Sequence, residues 1–155
     1  MNNRGFTKIE LIVVIALIIA MVAVDIALIL YLNLKSKDIA VLSDIKQIQS
    51  GLDNYLLLNN NYPIEAVAVA LNDPYANTEK LCTDGFKKNS ESCSQTILAP
   101  VPNSFLNQGN TFKYQSTDGQ NYKIEFTLNT NFKAANLSKG LNCASNNQIL
   151  SQPCF

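Results

Sequence analysis

The cysteines carry the most reactive side chains of this sequence, and their spacing limits the chemistry available to them. They form two C-x10-C pairs, Cys82 with Cys93 and Cys143 with Cys154. Neither pair has the C-x2-C spacing of a zinc site, and the sequence has no His to complete one. An even number of cysteines behind an apolar N-terminal segment is typical of disulfides in an oxidising compartment. We predict the local pairs Cys82–Cys93 and Cys143–Cys154, although four cysteines allow three pairings and the sequence leaves the other two open.

Two carboxylates, Glu10 and Asp25, stand at the start and in the middle of a long apolar run. Every residue from 11 to 24 is apolar, and residues 26–32 are apolar again. The combined run is long enough to span a bilayer, for which about 20 apolar residues suffice. Each carboxylate costs about 3 kcal/mol at membrane depth, so each requires an explanation. For Asp25, three explanations stay open: pairing between subunits, a position at the outer membrane–water boundary, and compensation of Lys35 through neighbours.

Catalytic, metal-binding and nucleic-acid-binding functions are not predicted. The absence of His removes the commonest general base and metal ligand, and no nucleophile–base pair or phosphate-binding loop is recognisable. The 12 basic and 12 acidic residues give a net charge of zero, without a basic patch that would indicate nucleic acid as a partner. Asp73, Asp84 and Glu91 fall in predicted loops, but without the ligand spacing of a calcium site. We therefore expect no catalytic residue, no metal site and no cofactor.

The N-terminal segment has two ordinary interpretations, and each leaves residues unexplained. A secretory signal peptide accounts for Arg4, Lys8 and the apolar run. It does not account for Glu10, and the run contains no convincing A-x-A cleavage site. A plain membrane anchor leaves both Glu10 and Asp25 unexplained.

A third interpretation rests on the sequence GFTKIEL at residues 5–11 and on the apolar run behind it. This segment resembles the N-terminus of type IV prepilins and of the pseudopilins of type II secretion and DNA-uptake machines, whose pattern is G-F-T-x-I-E-L before an apolar helix. The resemblance implies that a prepilin peptidase cuts after Gly5 and methylates the new amino group of Phe6. It also implies that Glu10 pairs with the N-terminal amine of a neighbouring subunit during assembly.

A second, weaker resemblance covers residues 39–63, whose sequence is similar to the second half of a pseudopilin helix. The chain also departs from the family. Many members have Pro where this chain has Ala27, and many have a Gly within the apolar run, where this chain has none.

The function implied by the resemblance is that of a structural subunit of a type IV pilus or pseudopilus. Its partners would be the prepilin peptidase, further copies or other pilins in a helical filament, an inner-membrane assembly platform, and membrane lipid before assembly. The expected location is the bacterial inner membrane, crossed once with the head outside, and then a filament at the cell surface or in the periplasm. The alternative is a membrane-anchored extracellular binding module that does not polymerise, and the type of filament stays open.

One continuous helix is predicted from about Phe6 to Leu58, because no Pro or Gly lies between Phe6 and Ser50. Its second half is amphipathic, since apolar residues recur there at three- and four-residue intervals. This apolar stripe consists of Ile45, Ile48, Leu52 and Tyr55, flanked by Val41, Leu42 and Leu56. The helix should end within Asn59–Pro63, since Asn clusters favour turns and the residue before Pro avoids the helical region.

An antiparallel hairpin is predicted over residues 112–128, where apolar and polar residues alternate on both sides of the turn Thr117–Gln120. Its apolar face should pack on the helix stripe, because a lone hairpin is marginally stable. Tyr114, Tyr122 and Phe126 are therefore predicted to be core residues rather than ligand-binding ones. Asp118 is predicted to be a turn residue.

These elements predict an α+β fold of the pilin type. We expect a leader at 1–5, a transmembrane and assembly half of the helix at 6–34, an amphipathic half at 35–60, and an extracytoplasmic head at 61–155. The amphipathic half should pack on a small antiparallel β-sheet in the head. Within the head, residues 65–71 fit either a helix or a strand, and the Asn- and Ser-rich tail, 131–155, should be held by Cys143–Cys154.

Overall fold

The computed structural model of this protein describes residues 8–103 and 111–155. The predicted processing residues, Gly5 and Phe6, lie outside the described residues. The chain divides into two compact units, of which the first ends at Ser36. The second, Lys37–Phe155, is called the helix–sheet unit below.

Helix α1 comprises Lys8–Asn59 and is continuous over 52 residues, as predicted. The chain leaves the helix at Asn60, whose φ of 59° is left-handed, a conformation that Asn tolerates better than most residues. The backbone N–H of Asn60 donates to the carbonyl of Leu56 at 2.8 Å and so satisfies one of the last carbonyls of the helix. Pro63 follows, and the helix therefore ends within the predicted segment.

The strands that follow in the described chain are β1 (Glu65–Ala70), β2 (Lys80–Cys82), β3 (Gly85–Lys87), β4 (Thr96–Leu98), β5 (Lys113–Ser116), β6 (Lys123–Leu128), β7 (Gly140–Ser145) and β8 (Ile149–Leu150). The main sheet has the order β1-β5-β6-β7-β8, and its neighbouring strands are antiparallel. The predicted hairpin is β5–β6, in which Tyr114 pairs with Ile124. Residues 65–70, left open between helix and strand, form the edge strand β1.

A second, three-stranded sheet of order β3-β2-β4 lies in the region where the sequence pattern predicts no element. Each of its strands has only three residues. Thr83 and Asp84 connect β2 to β3, and Gly85 follows with a φ of 106°, which favours glycine. Asp84, which falls in a predicted loop, therefore does lie in a turn, but the flanking strands are too short for periodicity to reveal them.

The core of the helix–sheet unit joins the predicted stripe of α1 to the main sheet. Ile45 and Leu52 are fully buried in one cluster with Ile124. The predicted core residues Tyr114, Tyr122 and Phe126 are also buried in this cluster. The long helix thus packs on a small antiparallel sheet, and the predicted fold class is confirmed.

Asp38 of α1 binds the turn that follows β6. Its side chain is fully buried. Its Oδ1 accepts hydrogen bonds from the backbone N–H and the side-chain amide of Asn129 at 2.8 and 3.0 Å. Its Oδ2 accepts hydrogen bonds from the backbone N–H and the hydroxyl of Thr130, both at 2.7 Å. These four donors compensate for the removal of the carboxylate from water.

Gly51 brings α1 close to the second sheet. A Cβ atom at this position would lie 3.2 Å from Cδ2 and 3.4 Å from Cβ of Leu98 in β4. Glycine costs a helix about 1 kcal/mol relative to Ala. The close approach of β4 explains why a glycine occupies this buried position despite that cost.

Replacing Gly51 with Leu is expected to lower the free energy of unfolding by about 1–3 kcal/mol, because the new side chain overpacks the space occupied by Leu98. The measurement is urea unfolding of the full chain in detergent, followed by tyrosine fluorescence. Asn54→Leu is the matched control, since Asn54 is exposed on the same helix and its replacement should change stability by about 0.5 kcal/mol or less. Equal destabilisation by both variants would contradict the packing explanation.

Candidate assembly site

Glu10 lies in the first turn of α1 and is exposed. A carboxylate at this end of a helix interacts favourably with the helix dipole. In an apolar medium the helix dipole offsets only part of the cost of removing the carboxylate from water. A charged group there also needs a counter-charge. Its predicted counter-charge, the amine of Phe6, belongs to a residue outside the described part of the chain.

The N-terminal part of α1 presents its apolar side chains outward. Every residue from 8 to 34, called the apolar segment below, is exposed. Exposure reaches 74% for Ile9 and 69% for Met21. Within the described residues, α1 is the one helix long and apolar enough to cross a membrane by length and composition. Exposed apolar surfaces of this extent are typical of membrane and protein interaction sites.

Asp25 interrupts this apolar surface. The residue is exposed and lines a shallow groove on α1 together with Leu17, Ala20, Met21 and Val24. The structure therefore places Asp25 and Glu10 on the same apolar segment but not beside each other, since about 15 residues of helix correspond to about 22 Å.

An alanine stripe lies along the apolar segment and is absent from the predicted site residues. It consists of Ala16, Ala20, Ala23 and Ala27. Intervals of four, three and four residues place these side chains on one face of the helix, and all four are exposed. Small side chains allow a neighbouring helix to approach closely in a membrane, and the spacing was visible in the sequence.

The disulfides are the two local pairs that the sequence predicts. Cys82 is joined to Cys93 with a Cα–Cα distance of 5.7 Å, and Cys143 to Cys154 with 5.1 Å. The second disulfide is supported by Glu125, whose Oε2 accepts a hydrogen bond from the backbone N–H of Cys154 at 3.2 Å. The C-terminal segment is thereby held against β6 and β7.

The acidic loop residues do not assemble a cation site in the described chain. Cys82, Asp84 and Cys93 lie close together, but both sulfur atoms belong to a disulfide and are not thiolate ligands. Asp84 is paired with Lys87, and the hydrogen bond from Lys87 holds the pKa of Asp84 below its usual value. Asp73 accepts a hydrogen bond from the backbone N–H of Tyr75.

The remaining predicted residue, Asp118, has the structural role expected of it. Its Oδ1 accepts hydrogen bonds from the backbone N–H groups of Gln120 and Asn121 at 2.9 and 3.0 Å. These hydrogen bonds lower the pKa of Asp118 and fix the turn between β5 and β6.

Two buried tyrosines of the main sheet form hydrogen bonds with α1 and with the segment that follows it. The hydroxyl of Tyr114 donates to the carbonyl of Pro63 at 2.7 Å, and the hydroxyl of Tyr122 accepts from Nε2 of Gln49 at 3.2 Å. Burial raises the pKa of both tyrosines, that of Tyr122 to about 12. Both tyrosines are therefore core residues: each ring is packed in the interior and each hydroxyl group is hydrogen-bonded.

We expect the helix–sheet unit to lose stability as the pH rises from 10.0, the ordinary pKa of tyrosine, to about 12. A tyrosine pKa that is raised by folding stabilises the protein in full below the unfolded pKa, and this contribution is lost as the pH passes the folded pKa. Urea midpoints measured across this range test the expectation. Tyr122→Phe should weaken the pH dependence, whereas Tyr75→Phe should not, because Tyr75 is 94% exposed. Identical pH profiles for these two variants would refute the assignment.

The chain matches no family model, and comparison with curated proteins and with solved structures gives no significant match. A functional proposal therefore rests on the N-terminal motif, the exposed apolar segment and the disulfide-bonded helix–sheet unit.

Proposed function

We propose that this protein is a structural subunit of a type IV pilus or pseudopilus, processed after Gly5 and polymerised through its N-terminal helix. The observation that carries the proposal is the contrast between the exposed first half of α1 and its partly buried second half. Residues 8–34 of the helix expose apolar side chains, whereas Val41, Ile45 and Leu52 are buried against the sheet.

This division suits a subunit that exchanges one apolar environment for another. In the membrane, lipid covers the apolar segment, and in a filament the same segments of other copies cover it. A helix satisfies its backbone hydrogen bonds internally, so it can make this exchange without exposing peptide groups to hydrocarbon. The helix–sheet unit has its own core and disulfides. In this proposal it stays outside the membrane in both states and takes no part in the exchange.

Glu10 has a specific role in this proposal. Its carboxylate pairs with the methylated amine of Phe6 from the neighbouring subunit, and the pair neutralises two charges that are each costly in an apolar medium. Because the pair forms at one axial displacement of the two helices, it selects the register of assembly.

The further participants follow from the same proposal. A prepilin peptidase removes MNNRG and methylates Phe6, and an inner-membrane platform assembles the processed subunits. The disulfides fit a unit that matures outside the cytoplasm, since such bonds persist in oxidising compartments.

The mass of the mature N-terminal peptide tests the proposal. We expect a chain that begins with N-methyl-phenylalanine at Phe6. Gly5→Leu is the matched control, because it alters the cleavage site without changing the apolar segment, and it should leave the leader attached. An intact Met1 in the wild-type protein, recovered from the membrane in its native host, would refute processing and would favour the membrane-anchored binding module.

A further inference from the structure

A polar groove of about 360 Å³ lies between α1 and the turn that joins β7 to β8. One of its walls is formed by four residues on one side of the helix. They are Lys46, Gln49, Ser50 and Asp53. Residues 145–149 form the opposite wall. The groove, called the edge groove below, therefore lies at the β8 edge of the main sheet.

The shape of the edge groove is fixed within the helix–sheet unit. Nε2 of Gln49 donates to the carbonyl of Ser145 at 3.0 Å and to the hydroxyl of Tyr122 at 3.2 Å, which ties α1 to both sides of the groove. The backbone N–H of Ser145 donates to the carbonyl of Gln148 at 2.8 Å and closes the turn. A partner that enters this groove therefore meets a preformed surface and does not have to order it.

Other polar groups of the edge groove are left for a partner. Four of its side chains have no hydrogen-bond or ion-pair partner among the described residues, and they are Lys46, Ser50, Asp53 and Asn147. An ammonium group donates, a carboxylate accepts, and a hydroxyl or an amide does both. Since one cation and one anion balance each other, the groove suits an uncharged partner with a polar tip.

Tyr75 has these properties and is presented on a braced loop between β1 and β2. Its side chain is 94% exposed. The loop is held by the fully buried Thr78, whose hydroxyl donates to the carbonyl of Ala70 and accepts from the backbone N–H of Asp73. The backbone N–H of Tyr75 in turn donates to Oδ1 of Asp73 at 2.8 Å. A tyrosine on such a loop offers a large contact area at a low cost in conformational entropy.

We propose that Tyr75 of one subunit inserts into the edge groove of an adjacent copy of this chain. The loop of Tyr75 follows β1, and the groove lies beside β8, so the two surfaces belong to opposite ends of the strand order β1-β5-β6-β7-β8. A contact between two different surfaces of one chain is heterologous, and it can repeat from copy to copy along a helical filament. The contact rests on the proposed function, because it requires copies that point in the same direction.

The chemistry of the two surfaces is complementary. The ring of Tyr75 packs on Ile149 and on the aliphatic stem of Lys46, while its hydroxyl donates to Asp53. The volume of the groove lies in the range of about 300–1,000 Å³ that is usual for small-ligand sites, so one aromatic side chain fits. A single exposed aromatic residue needs no partner by itself. The combination of a braced tyrosine at one edge with a preformed groove at the other favours a second copy as the occupant.

Photo-cross-linking of the full-length protein in its native host tests the contact. Tyr75 is replaced with p-benzoylphenylalanine, which keeps an aromatic side chain, and sheared filaments are irradiated. We expect cross-linked dimers in which position 75 is joined to residues 46–53 or 145–149 of the other copy. Strands β1 and β8 are four strand spacings apart, or about 19 Å, so a cross-link between these positions joins two chains. Tyr31, an exposed tyrosine of the apolar segment, is the matched position and should not cross-link to the groove.

Filament yield gives a second readout. Tyr75→Ala should reduce the yield of sheared filaments by about tenfold or more, as expected for an aromatic anchor, whereas Tyr75→Phe keeps the ring and should stay within about threefold of wild type. Ser50→Trp fills the edge groove and should reduce the yield as Tyr75→Ala does. Asn54→Trp is the matched control, since Asn54 is exposed on the same helix but does not line the groove. Membrane level and N-methylation of Phe6 are measured for each variant, so that a defect in insertion or processing is recognised.

The outcomes separate this contact from the proposed function. If wild-type filaments with N-methylated Phe6 form, but position 75 cross-links elsewhere and Tyr75→Ala assembles normally, the contact is overturned and the proposed function stands. A loss of filaments in Ser50→Trp without one in Tyr75→Ala assigns the groove to another occupant, such as a saccharide, and also overturns the contact. If the wild-type protein is neither processed nor polymerised, the proposed function fails and the contact fails with it. Cross-linking to the groove together with matching losses in Tyr75→Ala and Ser50→Trp establishes the contact.

Discussion

Replacing Asp38 with Ala is expected to lower the free energy of unfolding of the helix–sheet unit by about 3 kcal/mol or more. The carboxylate accepts four hydrogen bonds from Asn129 and Thr130. In the variant the backbone N–H groups of both residues lose their acceptor within the protein. A donor that loses its acceptor costs more than the net value of the hydrogen bond it made, and Asn129 and Thr130 are both half-buried in the folded unit.

The measurement is urea unfolding of the full chain in detergent, with tyrosine fluorescence as the signal. Asp38→Asn should recover only part of the stability, because the amide offers one acceptor oxygen where the carboxylate offers two. Asp53→Ala is the control on the same helix, since Asp53 is exposed and its loss should cost about 0.5 kcal/mol or less. A loss of stability in Asp38→Ala no larger than in this control would contradict the role given to Asp38.

Replacing Glu10 with Ala is expected to reduce the yield of assembled filaments by about tenfold or more, while the subunit stays in the membrane. Under the proposed function, the variant leaves the methylated amine of Phe6 in a neighbouring subunit without its counter-charge. Removal of one partner of a desolvated charge pair costs about 2–5 kcal/mol, and each 1.4 kcal/mol is about a tenfold change in an equilibrium constant.

Two controls distinguish assembly from insertion. Membrane fractionation should recover Glu10→Ala at the wild-type level, because the substitution makes the apolar segment more apolar. Glu10→Asp keeps the charge on a shorter side chain and should assemble better than Glu10→Ala. Wild-type filament yield from Glu10→Ala would remove Glu10 from the proposed mechanism.

The long helix and the hairpin could be predicted because their signals are local. The stripe around Ile45 and Leu52 repeats with the helical period over several turns. The alternation on both sides of Asp118 and Gly119 has the period of a strand, and the turn residues stand where the chain reverses. The disulfide pairing was predictable for the same reason, since the two cysteines of each pair are close together in the sequence.

The second sheet and the Asp38 contact could not be predicted because their causes are not local. Strands β2, β3 and β4 have three residues each, and no period can be recognised over three residues. The hydrogen bonds of Asp38 reach across 91 and 92 positions of sequence. In the sequence, Asp38 looks like an ordinary polar residue of an amphipathic helix.

The candidate site was predictable in its residue types but not in its geometry. The spacing of Glu10 and Asp25 within an apolar run indicated that both need partners. The exposure of the whole apolar segment emerges only from the structure, because the sequence does not say which side chains the rest of the chain covers.

The locality of the disulfides has a consequence for the order in which the protein matures. Each disulfide joins residues 11 positions apart, and neither ties α1 to the main sheet. The apolar contacts of Ile45, Leu52 and Ile124 can therefore form while all four thiols are still reduced. Oxidation then needs no search through the chain, because each cysteine finds its partner within a loop that is already closed by strand pairing. Correct pairing of the four thiols therefore depends on the local folding of each loop and not on contacts between distant parts of the sequence.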